Sequence, residues 1–438
     1  MVARDWARRG FDLWHPHVAW VGAGGPGHPS FFSAEFSIQS AIAAILYRTF
    51  GEGDAVARTV TIAFSLVGIW FLYRLTKRHA GEAAAVLAAL VYSLFPCHIF
   101  FGRVFMPDIP AISLALGGMD LLDRWSSERK WRFLLGAAVV TAFAVLQKLT
   151  VAFVALPMLY IFWVRDGRRF LLRWEPYVFG AIAAIPAAVW YPHAAAMGRQ
   201  SGFFIMQPFV FARHMQLWLD SGFIRDMVKI VATEAFSPLG FALVAAGFLF
   251  AGSSRAATLW RLWLGGSALL LVLIPGILSA NHYYFSVLMP GAAALAGMAL
   301  ARAFTFRVGV FAVPAIMAAF AVSAVYSVLP LYAPDRALRD LGIVLNHLSA
   351  PEDLVVTETG GSPAVLYFAD RRGWMLERNF DPRLLDSLAR AGARYYADVF
   401  VSDTAEHAQF FHALDERFER LTVEGTTSRI YDLSPRRR

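Results

Sequence analysis

The chain has few charged residues and a single cysteine. Only 16% of its 438 residues are charged, and 58% are hydrophobic, with a mean hydropathy of +0.50. Ordinary soluble domains carry about 25% charged residues, so this composition excludes a soluble enzyme, a disordered chain and a collagen-like repeat. The one cysteine, Cys97, lies inside an apolar run. It therefore predicts neither an internal disulfide nor a cysteine-based zinc framework.

Long apolar runs dominate the first three quarters of the chain. A helix needs about 20 apolar residues to cross the roughly 30 Å of hydrocarbon in a bilayer. Such runs predict a polytopic α-helical membrane protein with about ten transmembrane helices. We expect these spans at residues 59–75, 83–102, 106–122, 133–147, 149–164, 176–190, 235–252, 262–280, 283–301 and 308–330.

The net charge of +8 does not predict a nucleic-acid partner. The basic residues lie mostly in short loops between apolar runs, and they are concentrated in every second loop. Loops rich in Lys and Arg remain in the cytoplasm, so the pattern predicts that the basic set is cytoplasmic and the alternate loops face outward. We expect a multi-pass protein of the cell (inner) membrane, with both ends outside. The cytoplasmic set contains Arg74, Lys77, Arg78, Arg124, Arg129, Lys130, Arg132, Arg165, Arg168, Arg169, Arg173, Arg255, Arg261, Arg302 and Arg307.

The composition predicts three parts. Residues 1–58 form an outward segment with an interfacial helix at 31–50, and residues 59–330 form the multi-span domain. Within the latter, 208–219 and 223–231 are typical of amphipathic helices on the membrane surface. Residues 333–438 carry more charge and predict a small extracytoplasmic α/β domain. Its expected strands lie in DLVVTE, RYYADVFVSD and SRIYDLS, and its expected helices in DRALRDLGIVLNHL, PRLLDSLARAG and TAEHAQFFHALDERF.

Charged residues beside the outward ends of the apolar runs are candidates for a functional site, because charges near a membrane span are costly. Arg103 and Asp108 lie between two apolar runs, with prolines in the turn. They fit either a local ion pair that caps a helical hairpin or a functional pair. Lys148 stands alone at an outward turn, where it fits either an interfacial lysine or a phosphate contact. Arg58 could be an anchor or a phosphate contact.

Aromatic and imidazole side chains also gather on the predicted outward face. His282 and Tyr283 open a span, where they fit either an aromatic belt or a substrate site. Further histidines match no metal-ligand spacing, so we expect no metal and no other cofactor. They are His15, His17, His28, His193 and His214.

Seven short segments follow one another in an order that is informative. They are ARDWARRGF (3–11), AEF (34–36), LYRTFG (46–51), AR (57–58), GR with MPDIP (102–103 and 106–110), LQKLT (146–150) and HYY up to Pro290 (282–290). In this order they resemble the glycosyltransferase family 39 type of GT-C membrane glycosyltransferase. That group includes protein O-mannosyltransferases and lipid A aminoarabinose transferases. The resemblance covers about the first 300 residues.

The resemblance implies an activity and roles for the site residues. Members transfer a sugar from a polyprenyl-phosphate carrier to a hydroxyl of a lipid, glycan or protein acceptor on the non-cytoplasmic side. Cations would stabilise charge on the leaving phosphate, and a carboxylate would take the proton of the hydroxyl. The cations that would face the donor phosphate are Arg58, Arg103 and Lys148. His282 and Tyr283 are the candidates for the substrate site, and Glu35 and Asp108 are the candidate carboxylates that this chain itself carries.

Family members carry the catalytic aspartate directly after a first span, and Asp5 aligns several residues too late to be that aspartate. We therefore expect a span and an aspartate encoded upstream of Met1. The alternatives are a catalytically inactive truncated relative and a transporter or flippase of lipid-linked sugars. Transporters place polar residues near the midplane. Here the charges gather at one face, which favours a reaction at the membrane surface.

Overall fold

The computed structural model describes two compact units. The helical unit comprises Glu35–His193 and Gln207–Ala333, and the sheet unit comprises Met1–Ala34, Ala194–Met206 and Pro334–Arg438. Within these ranges, the described residues are all except 23–24, 29, 202–213, 279–280, 334–335, 378–380, 400–404, 423–427 and 435–438.

The helical unit is built from apolar α-helices joined by short turns. Its α-helices are Ile38–Phe50, Asp54–Ala80, Glu82–Leu94, Pro96–Phe101, Asp108–Glu128, Trp131–Gln147, Ala155–Asp166, most of Glu175–Ser201, Ser221–Ile230, Pro238–Phe250, Arg255–Val272, Pro275–Leu278, Met289–Ala303 and Gly309–Val328. Tighter 3₁₀ segments cover Leu149–Val154, Gly167–Leu172, Met215–Leu219, His282–Leu288 and Leu329–Tyr332, and Val231–Ala235 forms a π-helical turn.

Several helices are long and apolar enough to cross a membrane. By length and composition there are five in the described chain, or six if the bent pair Ser221–Ala235 and Pro238–Phe250 is one span. The protein is thus an integral membrane protein, while the expected count of about ten stays a prediction. Other predicted spans coincide with shorter, broken or more charged helices. One is split before Pro96, and Asp108–Glu128 contains several acidic residues. The five are Asp54–Ala80, Leu149–Leu172, Glu175–Ser201, His282–Ala303 and one within Gly309–Leu348.

Small residues allow the helix Met289–Ala303 to pack at the centre of the unit. A Cβ on Gly297 would lie 2.5 Å from the backbone nitrogen of Ala88, and one on Gly247 would lie 2.5 Å from that of Ala296. Both distances are too short for any side chain. The glycines therefore let backbones of adjacent helices approach closely, as small residues do between membrane helices.

Two of the predicted cytoplasmic arginines form ion pairs between helices. Arg78 donates to buried Asp120 at 2.7 Å and to buried Asp123 at 2.8 Å, and Arg74 lies 3.3 Å from Asp120. His79 Nε2 lies 2.9 Å from Asp123. These contacts join the helices Asp54–Ala80 and Asp108–Glu128. The basic residues therefore stabilise the packing of two helices, in addition to adding positive charge to a predicted loop.

The sheet unit contains a five-stranded sheet. The strands are β1 Leu354–Glu358, β2 Arg372–Leu376, β3 Ala393–Asp398, β4 Glu419–Leu421 and β5 Arg429–Asp432. Their order in the sheet is β2-β1-β3-β5-β4. β1 pairs in parallel with β2 and β3, and β5 pairs antiparallel with β3 and β4. The helices of the unit are Val2–Arg9, Ala337–Leu348, Ala364–Ala369, Pro382–Arg390 and Ala405–Arg417.

A buried apolar core lies against the sheet. Val356 of β1, Tyr396 of β3 and Tyr431 of β5 pack with Phe410 and Leu414 of the last helix. All five side chains are buried, and the three strand residues come from neighbouring strands. Consecutive residues of these strands are buried, such as Val355 and Val356 of β1, and because side chains alternate between the faces of a strand, both faces of the sheet are covered there.

The N-terminal residues extend this sheet. Gly373 of β2 donates to the carbonyl of Ala19 at 3.0 Å and accepts from Val21 at 2.6 Å. Phe31 forms an antiparallel bridge with His17. The Phe32 nitrogen donates to the Pro16 carbonyl and the Phe36 nitrogen to the Leu146 carbonyl, so these residues are not helical. The helix expected over 31–50 begins only at Ile38, which corrects that prediction.

The two amphipathic segments have different outcomes. Residues 223–231 lie almost entirely within the helix Ser221–Ile230, as expected. Of the segment 208–219, residues 208–213 lie outside the described residues, and Met215–Leu219 forms a 3₁₀ helix.

Candidate functional site

Lys148 lies at a break between two helices. Its backbone is extended, with φ −159° and ψ 114°, between the helix Trp131–Gln147 and the 3₁₀ segment Leu149–Val154. The side chain is buried, with 6% of its residue surface exposed. Its Nζ donates to Glu35 Oε1 at 2.7 Å and lies 3.7 Å from Asp108 Oδ1. The structure therefore brings together three of the residues predicted for the site.

Glu35 is held beside this break by the residue that follows it. The Phe36 nitrogen donates to the Leu146 carbonyl at 3.1 Å, and the Phe36 ring packs edge-on against Trp190 at 4.8 Å. Tyr191 donates to the same Leu146 carbonyl at 3.2 Å. Backbone and aromatic contacts thus fix the segment that carries Glu35 against the turn that carries Lys148.

Asp108 is the first residue of the helix Asp108–Glu128 and follows Pro107. It is 2% exposed, and neither carboxylate oxygen accepts a hydrogen bond from the described residues. At 3.7 Å the ammonium of Lys148 attracts it without forming a hydrogen bond. A buried polar group without hydrogen-bond partners is costly and rare. Both oxygens of this carboxylate can therefore accept hydrogen bonds from a bound molecule.

Two tyrosines cover the ammonium. The Lys148 Nζ lies 5.4 Å from the ring centre of Tyr283 and 5.0 Å from that of Tyr284, and the two rings stack at 4.8 Å. Burial acts to lower the pKa of Lys148. The carboxylates of Asp108 and Glu35 outweigh it and hold that pKa well above its usual value. The lysine therefore stays charged at neutral pH, and one cation faces two carboxylates.

Arg103 is connected to this cluster through aromatic rings. Its Nε donates to the Tyr332 hydroxyl at 3.0 Å, and its guanidinium lies 5.5 Å from the Phe100 ring. Phe100 contacts Phe101 at 5.0 Å, and Phe101 contacts Tyr283 at 6.0 Å. The expected ion pair between Arg103 and Asp108 is absent among the described contacts.

The remaining predicted residues lie outside these contacts. His282 Nδ1 lies 2.6 Å from Oε2 of Glu234. Glu234 belongs to the π-helical turn Val231–Ala235. Such turns often occur at functional sites. Arg58 is exposed near the start of Asp54–Ala80 and forms no hydrogen bond or ion pair with the residues that the structure describes. Its predicted role as a phosphate contact stays untested.

The structure adds Glu234 and Tyr332, which the sequence analysis did not select, and Tyr284, which belonged to the HYY segment without a role of its own. Glu234 could have been found, because it is an acidic residue between two apolar stretches. The tyrosines carried no signal beyond an ordinary aromatic belt. Within the described part of the chain, no group of three or more His, Cys, Asp or Glu residues could hold a metal ion.

Comparison with known proteins identifies the fold. The dolichyl-phosphate-mannose-protein mannosyltransferase family matches residues 38–193, which include Arg58, Arg103, Asp108 and Lys148. No curated protein sequence matches the chain. Solved structures are similar at low identity.

ArnT from Cupriavidus metallidurans, solved with undecaprenyl phosphate, has 12% identity and a TM-score of 0.64, covering 99% of this chain and 92% of that one. The oligosaccharyltransferase AglB from Archaeoglobus fulgidus, solved with an inhibitory peptide and a dolichol-phosphate, has 13% identity and a TM-score of 0.60, covering 99% and 69%. The arabinofuranosyltransferase AftD from Mycobacteria has 14% identity and a TM-score of 0.59, covering 98% and 37%.

These similarities confirm the GT-C fold that the resemblance in the sequence implied. The chain has the fold of the GT-C membrane glycosyltransferases, and the family match adds sequence support over the segment that carries most of the predicted site.

Proposed function

We propose that this protein transfers a sugar from a polyprenyl-phosphate donor to a hydroxyl group of a lipid, glycan or protein acceptor. The observation that carries the proposal is the cluster of partly buried Glu35 with buried Lys148 and Asp108 within a GT-C fold. Two buried ionisable side chains and a third that is partly buried beside them are costly for folding. Such a cost is typical of a site that handles charge during a reaction.

In the proposed reaction the acceptor oxygen attacks the anomeric carbon of the sugar. A new carbon–oxygen bond forms, the bond from that carbon to the phosphate oxygen breaks, and its electron pair leaves with the polyprenyl phosphate. The hydroxyl proton moves to a carboxylate. Asp108 suits this step, because its oxygens accept no hydrogen bond from the described residues. A positioned general base contributes about 10²- to 10⁴-fold to a rate.

Lys148 is proposed to face the leaving phosphate. Its ammonium is charged and fixed by Glu35, so it needs little reorganisation when negative charge develops nearby. Glu35 would then be a positioning residue. Arg103, Arg58, His282 and Tyr283 are proposed as further contacts for donor or acceptor.

The finer predictions on topology belong to the same proposal. We infer about ten spans, a location in the cell (inner) membrane, and an α/β domain at 333–438 on the extracytoplasmic side. The alternation of basic and less basic loops supports this arrangement. No nucleic-acid partner is part of the proposal.

The test is sugar transfer by purified protein in lipid nanodiscs, measured as release of polyprenyl phosphate from a polyprenyl-phosphate sugar. We expect Lys148→Gln to lower transfer by about 30-fold or more, since a preorganised charge contact on the leaving group is worth about 2–4 kcal/mol. Lys148→Arg keeps the charge and should retain more activity than Lys148→Gln.

The matched control is Lys130→Gln, a lysine that pairs with Glu128 on the exposed surface. It should leave transfer unchanged. Equal activity of Lys148→Gln and Lys130→Gln in folded protein would contradict the assignment of Lys148. Movement of the intact lipid-linked sugar across the bilayer without release of polyprenyl phosphate would favour a flippase.

A further inference from the structure

Arg165 of the helical unit is an arginine whose buried donors are not satisfied. It lies in the last turn of the helix Ala155–Asp166, and 8% of its side chain is exposed. Its Nε and Nη1 atoms are buried and donate no hydrogen bond to the residues that the structure describes. The guanidinium lies over the ring of buried Trp125 at 3.8 Å, and such stacking fixes its plane. Because buried donors without acceptors are costly and rare, Arg165 is a candidate contact for a bound anion.

The positive charge of Arg165 is only partly offset by its neighbours. The charged groups that act most strongly on it are those of Asp166, Arg129, Glu175 and Arg173. Arg173 donates to Glu175 at 3.1 Å, so the charges of these two residues cancel. Asp166 Oδ2 lies 3.6 Å from the Arg165 Nε, which is too far for a hydrogen bond. Arg129 is exposed and forms no ion pair with the described residues, so one carboxylate faces two guanidinium groups.

This group of charges lies beside a turn at the surface of the bilayer. The helical segments Leu149–Leu172 and Glu175–Ser201 are both long and apolar enough to cross a membrane, and only two residues separate them. A turn this short between two spans lies at a membrane surface. Five side chains of the turn are exposed, two of them basic and three apolar: Arg168, Arg169, Leu171, Leu172 and Trp174. Exposed apolar side chains next to arginines are typical of a segment that contacts lipid.

We propose that Arg165 and Arg129 bind the headgroup phosphate of an anionic phospholipid. The anions concentrated at a membrane surface are lipid headgroups, and the several donors of an arginine match the oxygens of a phosphate. The phosphate would accept hydrogen bonds that Arg165 does not make within the described chain, and it would offset the remaining positive charge.

A phospholipid fits this place better than a soluble anion does. Its acyl chains would lie along the exposed apolar side chains of the turn, such as Leu172, whereas a soluble anion would use only the arginines. The proposed site does not depend on the transferase reaction. Its test measures lipid binding and not sugar transfer, so either proposal can fail without the other.

The experiment counts the lipids bound to the full chain by native mass spectrometry from an uncharged detergent. The probe is phosphatidylglycerol. Phosphatidylcholine with the same acyl chains is the match, because its choline offsets the charge of its phosphate. Wild-type protein should bind the first phosphatidylglycerol about tenfold more tightly than phosphatidylcholine, as expected for a contact with one charged group. Inorganic phosphate at millimolar concentration should not displace the bound lipid.

Two variants test the two arginines. Arg165→Gln should weaken the binding of phosphatidylglycerol by about tenfold or more, because it removes the charge and the buried donors together. Arg129→Gln changes an exposed residue and should weaken that binding by about two- to fivefold. It keeps the test decisive if Arg165→Gln does not fold, which the thermal unfolding midpoint shows.

The matched control is Arg255→Gln, an exposed arginine at the start of another helix and of the same predicted set of cytoplasmic residues. It should bind phosphatidylglycerol as wild type does. Equal affinity of wild type for the two lipids would overturn the proposal, and so would binding by folded Arg165→Gln and Arg129→Gln that equals that of Arg255→Gln. Displacement of the lipid by inorganic phosphate would identify a soluble anion as the ligand and would also overturn it.

Discussion

The cluster at Lys148 predicts that two similar substitutions differ in their effect on stability. Glu35→Gln removes a carboxylate that accepts a hydrogen bond from the ammonium at 2.7 Å. Asp108→Asn removes one that lies 3.7 Å away and accepts no hydrogen bond from the described residues. Both changes convert a carboxylate into an amide of the same shape, so the comparison isolates the role of each charge.

The expected magnitudes follow from these contacts. A hydrogen bond to a charged group contributes about 1.5–3 kcal/mol. The amide of Glu35→Gln can still accept from the lysine, so the expected loss is about 1–2 kcal/mol. Asp108→Asn leaves one cation with one carboxylate and removes the excess buried negative charge. A buried amide without partners costs less than such a charge, so we expect no loss, or a gain of up to about 1 kcal/mol.

Thermal unfolding in nanodiscs, followed by tryptophan fluorescence, measures the difference. One kcal/mol shifts the midpoint by about 2–4 °C in domains of 150–250 residues. Glu35→Gln should therefore lower the midpoint by a few degrees, and Asp108→Asn should leave it unchanged or raise it. Asp108→Asn should at the same time lower sugar transfer by about 100-fold or more.

Asp226→Asn is the matched control, because Asp226 is an exposed carboxylate of the same unit. It should change neither stability nor transfer. If Asp108→Asn lowers the midpoint as much as Glu35→Gln does, Asp108 is a stabilising partner of Lys148. The inference that its burial is an uncompensated cost would then be wrong.

Two further predictions concern the sheet unit and the topology. Burial acts to raise the pKa of Asp370, but the hydrogen bond from Arg8 and nearby positive charge outweigh it and lower that pKa. The ionised carboxylate therefore stabilises the fold above its ordinary pKa of about 3.9, and this effect is lost as the pH falls below that value. The thermal unfolding midpoints of wild type and Asp370→Asn should differ at pH 7 and converge in acid. In a variant without the native cysteine, a cysteine at Ser387 should react with an impermeant thiol reagent in intact cells, and one at Ser127 should not. Equal labelling would contradict the assigned orientation.

Much of the fold could be predicted from local sequence pattern. Strands Leu354–Glu358, Ala393–Asp398 and Arg429–Asp432 fall within the expected segments, because each contains β-branched or aromatic residues between polar ones. Strand Arg372–Leu376 was not predicted. It contains a glycine and has no clear alternation, and it is stabilised by parallel pairing with β1, which local pattern does not encode.

The site could be predicted only in part. Lys148 and Asp108 are visible as charges beside apolar runs, and both belong to the cluster. The partner of Lys148 could not be predicted, because Glu35 lies 113 residues away along the chain. Pairing over such a distance depends on how helices pack. For the same reason the sequence suggested Arg103 as a partner of Asp108, whereas its guanidinium contacts Tyr332 and Phe100.

The position of the site residues along the helices has a physical cause. Glu35 precedes the helix that begins at Ile38, Asp108 begins a helix, and Lys148 lies where one helix ends and a tighter one begins. A charge in the middle of a lipid-facing helix is costly, whereas at a helix end it lies close to water or to other polar groups. Helix ends also leave backbone donors and acceptors unpaired. The free-energy cost of placing several charged side chains together is therefore lowest where several helix ends meet. Charges that flank apolar runs are therefore candidates for such a cluster, and only the packing of the helices decides which of them meet.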